Sequence, residues 1–201
     1  GLTFQYPSGP AFAFPNFSCT PGEHLLVLGQ SGKGKTTLLH LLAGMIRPTA
    51  GSILIQNTDI AKLGNRELDK FRGQHIGIIF QTAHFVDSIN VIDNLMLSPF
   101  LSGKKSEQSE AMAVLERLSV GHKASQKPAS LSVGEQQRCA IARAVFHKPS
   151  LILADEPTGN LDSKTSYEIM ALFRELNERG NTIIMVTHEE DIAAFAGRII
   201  R

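Results

Sequence analysis

The sequence predicts an α/β fold: a mostly parallel sheet with flanking helices, to which an antiparallel β subdomain and an α-helical subdomain are attached. Three stretches predict it. Leu25–Leu28 is a fully apolar run, followed by the glycine-rich segment GQSGKGKTT (residues 29–37) and then by apolar Leu38–Leu42. That order reads as buried strand, tight turn and helix. Leu151–Ala154 is a second buried run and ends in two carboxylates, Asp155 and Glu156. Thr182–Val186 is a third, and ends at Thr187 and His188. In sheets of this class ligands sit at the C-terminal strand ends, where all three runs place their polar residues.

The turn after the first strand carries the chemistry. Gly29, Gly34, Lys35 and Thr36 fit the phosphate-loop pattern G-x-x-x-x-G-K-[ST] in the strand–turn–helix context it requires. Glycine lets the backbone curl so that successive N–H groups across Gln30, Ser31, Gly32, Lys33 and Gly34 point inward at phosphate oxygens. The helix that continues through Thr37 adds its positive N-terminal end. Lys35 would reach the β- and γ-phosphates, and the Thr36 hydroxyl would ligate Mg²⁺. The plain alternative, a Gly/Lys-rich surface turn, does not explain the buried strand and helix on either side.

The totals narrow the function classes. The chain has 201 residues, 42% of them hydrophobic and 19% charged, enough for one sizeable domain or a core with a subdomain. A net charge of +1 leaves no overall electrostatic footprint for nucleic acid, and no nucleic-acid partner is expected. Cys19 and Cys139 are too far apart in sequence to form a metal-spaced pair and read as free thiols of a reducing compartment. No stretch approaches the about 18–20 apolar residues that span a bilayer, and no signal peptide is read. Work at a membrane would therefore require another chain.

In chain order, Leu2–Tyr6 and Phe12–Phe17 read as two antiparallel strands around a Pro-Ser-Gly-Pro turn. Tyr6 closes the first of them, either as an aromatic platform for a base or as ordinary packing. The helix after the phosphate loop is apolar on nearly all sides through Met45, with Gly44 as its stop. Gly51–Ile55 reads as a strand, Arg66–Arg72 as a short polar helix, and Ile76–Phe80 as a strand ending in Gln81, whose amide oxygen can ligate Mg²⁺. From Ser88 to about Val120 the apolar spacing is helical, with a polar turn at Ser102–Glu110.

Ser132 and Glu135, three residues apart in LSVGEQQR, form a capping box that opens a helix running to about Lys148. The same end could clamp a phosphate, although a hydroxyl committed to capping is less free to do so. Asp155 and Glu156 suggest Mg²⁺ work for one carboxylate and water activation for the other. Asp162 would cap a helix over Ser163–Arg179, His188 fits a γ-phosphate contact, and Ile199–Arg201 reads as a strand.

Together these residues resemble the ATP-binding cassette (ABC) ATPases, a phosphate-loop NTPase family, over essentially the whole chain. Gly29–Thr36 looks like Walker A and Gln81 like the Q-loop glutamine. Leu131–Gln136 looks like the family signature, Leu151–Glu156 like Walker B with its catalytic glutamate, Asn160, Leu161 and Asp162 like the D-loop, and His188 like the switch histidine. Tyr6 falls where the family carries its adenine-stacking aromatic. Two positions depart: Val133 replaces a signature glycine, and Lys33 replaces a small Walker A residue, either adding charge near the phosphates or pointing to solvent. The run ADEPTGNLD (residues 154–162) is similar to a bacterial subgroup that includes lipoprotein-releasing, macrolide-exporting and cell-division ATPases.

The resemblance implies a core of residues 1–84 and 150–201, a helical subdomain of 85–149, and Mg²⁺-dependent ATP hydrolysis in a head-to-tail homodimer. Ser132, Val133, Gly134 and Glu135 of one copy would close over the ATP held by the other. Glu156 would act on the attacking water, His188 on the γ-phosphate, and Thr36, Gln81 and, through water, Asp155 on Mg²⁺. An integral membrane subunit would dock near Thr82–Asn94, placing the chain on the inner face of the cell membrane. A soluble ABC-type ATPase, for example in iron–sulfur assembly, is the alternative.

Overall fold

Strict alternation along the central strands sets the architecture. The computed structural model describes residues 1–103 and 105–200, with Ser102 described by its backbone alone. Five strands form one parallel sheet in the order β6 (Ile76–Ile79), β7 (Leu151–Asp155), β8 (Thr182–Thr187), β3 (His24–Leu28) and β9 (Arg198–Ile200). In register, Ile78, Leu153, Ile184 and Leu25 make one row, and the rows on either side of it face the opposite way. Leu25, Leu153, Ile184 and Val186 pack on one face with α1 (Lys35–Leu42) and α2 (Asn65–His75). Leu26, Ile79, Ile152, Ala154, Ile183 and Met185 pack on the other with α3 (Val91–Ser102), α4 (Gln108–Arg117), α5 (Val133–Phe146) and α6 (Ser163–Glu178). The sheet is thus apolar on both faces, as parallel strands with helical crossovers must be.

Two small antiparallel pieces flank the sheet, β1 (Leu2–Gln5) with β2 (Ala11–Phe14), and β4 (Leu54–Ile55) with β5 (Thr58–Asp59). A bridge between Thr3 and Ala50 ties the first piece to the loop before the second. The helices α3, α4 and α5 pack on one another and share one apolar cluster with the sheet, so the core is continuous through residues 85–149.

Several boundaries differ from the sequence reading, each for a local reason. β1 ends at Gln5, so Tyr6 opens the turn rather than closing the strand, and β2 ends at Phe14 because Pro15 has no N–H for a ladder. α1 stops at Leu42; Gly44 has φ 63° and Met45 N–H returns to His40 O, which puts Met45 outside the helix and 45% exposed. Of the strand expected at 51–55 only Leu54 and Ile55 pair, across a two-residue turn in which Gln56 and Asn57 have φ 48° and 63°. α2 runs on to His75, β6 stops at Ile79, and α5 stops at Phe146 rather than Lys148. The helical spacing of 88–120 resolves into two helices, with Pro99 inside the first. Lys104 and Arg201, parts of the expected polar turn and last strand, lie outside the described residues.

Candidate functional site

Four strand ends meet at one edge of the sheet. β3 runs into Gly29, whose N–H is held by Thr187 O at 3.3 Å. The loop that follows turns through Gly32 and Gly34, at φ 81° and 87°, into α1. Gly34 is required twice over: its backbone is left-handed, and an added Cβ would lie 2.6 Å from Phe12 Cδ1. Gln30, Ser31 and Lys33 are exposed, and Lys33 lines a cleft with Phe14, Pro15 and His188. Lys35 is 9% exposed, and its Nζ donates to Gly29 O at 2.7 Å and Gln30 O at 3.1 Å.

Two of the other ends bring titratable groups, and the third brings the Gln81 amide. Asp155 closes β7, 8% exposed, and accepts from the Thr36 hydroxyl at 3.2 Å. Burial pushes its carboxyl above the usual range, and the neighbouring Glu156 adds to this, while the Thr36 hydrogen bond, His40 and Lys35 oppose it. Glu156 leaves the strand with φ 42°, in the left-handed region that costs a non-glycine residue about 1–3 kcal/mol. Strand alternation would have separated the two carboxylates. The left-handed turn instead places Glu156 Oε1 3.9 Å from Lys35 Nζ and 2.9 Å from His188 Nδ1.

Gln81 is not brought to Thr36 and Asp155 by any hydrogen bond among the described residues. Its Nε2 donates to Asn160 Oδ1 at 3.4 Å, and Asn160 Nδ2 returns to Gln81 O at 3.2 Å. This amide pair joins the end of β6 to the segment before α6. Leu161 packs against the core, and Asp162 caps α6 by accepting from Thr165 N–H at 3.0 Å. The Thr36 hydroxyl and Asp155 carboxylate, joined at 3.2 Å, are hard oxygen ligands that fit Mg²⁺, and the amide oxygen of Gln81, held on Asn160, is of the same kind. The left-handed glycine turn, the start of α1 and Lys35 fit phosphates.

Tyr6 is 39% exposed. Its ring meets Phe4 edge-on at 4.7 Å and Phe12 at 6.3 Å, and its Oη lies 3.3 Å from Thr37 Oγ1. Phe12 and Thr37 therefore belong to the aromatic side of the loop. The sequence reading missed the role of Phe12, which shares a strand face with Phe14 in an alternating strand.

Ser132–Glu135 stands apart. Ser132 caps α5 in a closed box: its Oγ accepts from Glu135 N–H at 3.3 Å and donates to Glu135 Oε2 at 2.9 Å, and its own N–H donates to the same carboxylate at 2.8 Å. These bonds, with Lys123 at 3.3 Å, hold the Glu135 carboxyl below its usual range. Val133 is the first helical residue, is absent from the positive-φ positions and is 56% exposed, so a β-branched side chain is tolerated there. Gly134 faces Thr165 of α6. Among the described residues no hydrogen bond or ion pair joins 132–135 to 29–37.

Similarities to known proteins agree with this geometry. A family profile described as "ABC transporter" matches residues 14–159. A lipoprotein-releasing system ATP-binding protein LolD of Geobacter metallireducens is 42% identical over 92% of this chain and 84% of its own length. A macrolide export ATP-binding/permease protein MacB of Chlorobaculum tepidum is 42% identical over 89% of this chain, matched within 28% of that longer protein. Among solved structures, dimeric MJ0796, titled a bacterial ABC transporter cassette, covers 98% of this chain and is itself covered to 89%, with a TM-score of 0.88 at 35% identity. A second MJ0796 dimer, a post-hydrolysis state bound to ADP and Pi, has the same TM-score at 34% identity and the same coverage of both chains. The chain belongs to the ABC transporter family and is an ABC-type ATPase cassette.

Proposed function

We infer that this chain is the ATP-hydrolysing subunit of a bacterial transporter-type complex, and that it drives a separate membrane subunit when two copies close head to tail around two ATP molecules. The observation that carries this reading is the self-contained capping box of Ser132–Glu135: it leaves exposed Ser132 and Val133, with half-buried Gly134 behind them, at a helix start that no hydrogen bond or ion pair among the described residues ties to the chain's own phosphate loop. A second copy's nucleotide is the partner that such a helix end suits, since an N-terminus attracts phosphate oxygens. The two dimeric structures of MJ0796 support a pairing of copies.

In this reading Lys35 and the N–H groups of residues 29–37 bind the phosphates, and Tyr6 flanks the base. Glu156 accepts the proton of the attacking water while His188, 2.9 Å away, holds the carboxylate in place and reaches the γ-phosphate. Thr36, Gln81 and, through water, Asp155 would hold Mg²⁺, which would neutralise phosphate charge. The D-loop, Asn160–Asp162, lies between the Gln81 turn and α6, where it reports on the neighbouring copy.

The core of 1–84 and 150–201 and the helical part of 85–149 act as the two working pieces. Between them lies a groove of about 1000 Å³, lined by Lys70, Ile78, Phe85, Val86, Leu97 and Arg143. It includes part of the Thr82–Asn94 segment and is the docking place for the membrane subunit. No helix of the described residues is long and apolar enough to cross a membrane, and in this reading the membrane subunit supplies the attachment. Fractionation of native cells tests this. The chain should sediment with membranes, and Lys70→Glu combined with Val86→Asp should release it. A chain found in the soluble fraction before any substitution would overturn the membrane reading.

A further inference from the structure

We propose that Thr158 and Glu189, two residues with no role assigned so far, form a positioning latch that keeps Glu156 and His188 in register. The proposal rests on the roles given above to Glu156 and His188. β7 and β8 run side by side as far as the bond from Glu156 N–H to Val186 O at 2.9 Å, and beyond it the two chains part. One enters a turn closed by Gly159 N–H on Glu156 O at 3.1 Å, and the other enters the His188 loop. The His188 side chain is 47% exposed, and Glu156 is its one hydrogen-bond partner among the described residues. An imidazole so exposed takes its position from its backbone.

That backbone is pinned on both sides. Thr187 is fully buried, and its Oγ1 accepts from Glu189 N–H at 3.0 Å. Thr158 is 1% exposed and donates its hydroxyl to Glu189 Oε2 at 3.1 Å. Apart from the Glu156–His188 contact itself, this is the side-chain hydrogen bond that crosses between the turn 156–159 and the loop 188–190 among the described residues. Glu156 sits at φ 42°, a conformation that persists only when its surroundings restrain it. The strand ladder restrains its N-terminal side, and Thr158 restrains the turn that follows. A hydroxyl shielded from water and bonded to a carboxylate is a strong, directional tie. Losing it would let the two loops drift while the bonds of Lys35 to Gly29 O and Gln30 O stay in place.

The test is steady-state ATP hydrolysis by the full chain. Thr158→Val preserves volume and removes the donor. It should lower kcat about ten- to a hundredfold, the scale on which small misplacements act, while KM for ATP stays within about twofold. Thr158→Ser restores the hydroxyl and should restore kcat. Glu189→Gln keeps an acceptor oxygen and should stay near the parent rate, whereas Glu189→Ala should match Thr158→Val. The double variant Thr158→Val with Glu189→Ala should be no slower than either single one, because both remove the same bond. If Thr158→Val does not fold, the Glu189→Gln and Glu189→Ala pair makes the same comparison. A parent-like kcat in Thr158→Val, no difference between the two Glu189 variants, or additive losses in the double variant would overturn the latch. Glu156→Gln that still hydrolyses ATP would instead overturn the roles on which it rests.

Discussion

The phosphate-loop edge and the start of α5 are both helix N-termini with polar residues at their tips, yet they are finished in opposite ways. At the loop edge, polar groups from three separate stretches are tied across the sheet: Thr36 to Asp155, Lys35 to Glu156, Glu156 to His188. At α5 the tip is closed on itself within four residues, with Lys123 as its outside anchor. The first arrangement brings together groups distant in sequence by long-range packing. The second presents a finished surface. In the proposed function this contrast makes the two ends complementary halves of a site, one that holds the nucleotide and one that covers it.

The sharpest way to break that division is at Glu156. Glu156→Gln should lower turnover by about 10²–10⁴-fold, the usual loss when a general base is removed, with ATP binding retained. Hydrolysis at the parent rate would remove Glu156 from the holding half. Next comes Lys35→Ala, which takes a nearly buried charge off the phosphates. A loss of about 2–5 kcal/mol in ATP affinity is expected, and calorimetry showing an unchanged Kd would end the phosphate-loop assignment.

Most of this contrast was legible in the sequence, and the missing part has a physical pattern. Spacing alone located both tips, because the glycine pattern and the capping box are local chemistry written within a few residues. The three buried strands and α6 were legible for the same reason: their apolar runs and the Asp162 cap are short-range signals. What the sequence could not show was pairing across distance. Gln81 bonds to Asn160 some eighty residues away, and Phe12 closes on Gly34. Nor did strand alternation foresee Glu156, since the left-handed φ that turns it toward Lys35 and His188 depends on the β8 neighbour that holds its N–H.

Tyr6 separates base recognition from phosphate recognition within the holding half. Tyr6→Ala should weaken ATP binding by about 1–3 kcal/mol if the ring stacks on the base and leave inorganic triphosphate binding unchanged. Equal weakening of both ligands would make Tyr6 a packing residue on Phe4 and Phe12. Smaller still is the effect of the cap itself. Ser132→Ala should reduce stability by about 1 kcal/mol. The Glu135 and Asp162 carboxyls lie below their usual range in the folded chain, so their stabilisation is present at neutral pH and fades as pH falls through those lowered values. Melting curves should therefore drop in acid, and less steeply in Ser132→Ala. Melting temperatures that rise on acidification would contradict both caps.

In the proposed function the start of α5 covers the nucleotide held by another copy. Glu156→Gln binds ATP without consuming it and should accumulate the closed pair. Chemical crosslinking of that variant should yield ATP-dependent dimers. Adding Ser132→Arg places bulk at the covering tip while leaving the Lys35 side intact, so each chain should still bind ATP but the dimers should disappear. ATP-dependent dimers that persist in Glu156→Gln with Ser132→Arg would mean that Ser132 is a helix cap and nothing more, and that the two halves do not meet across copies.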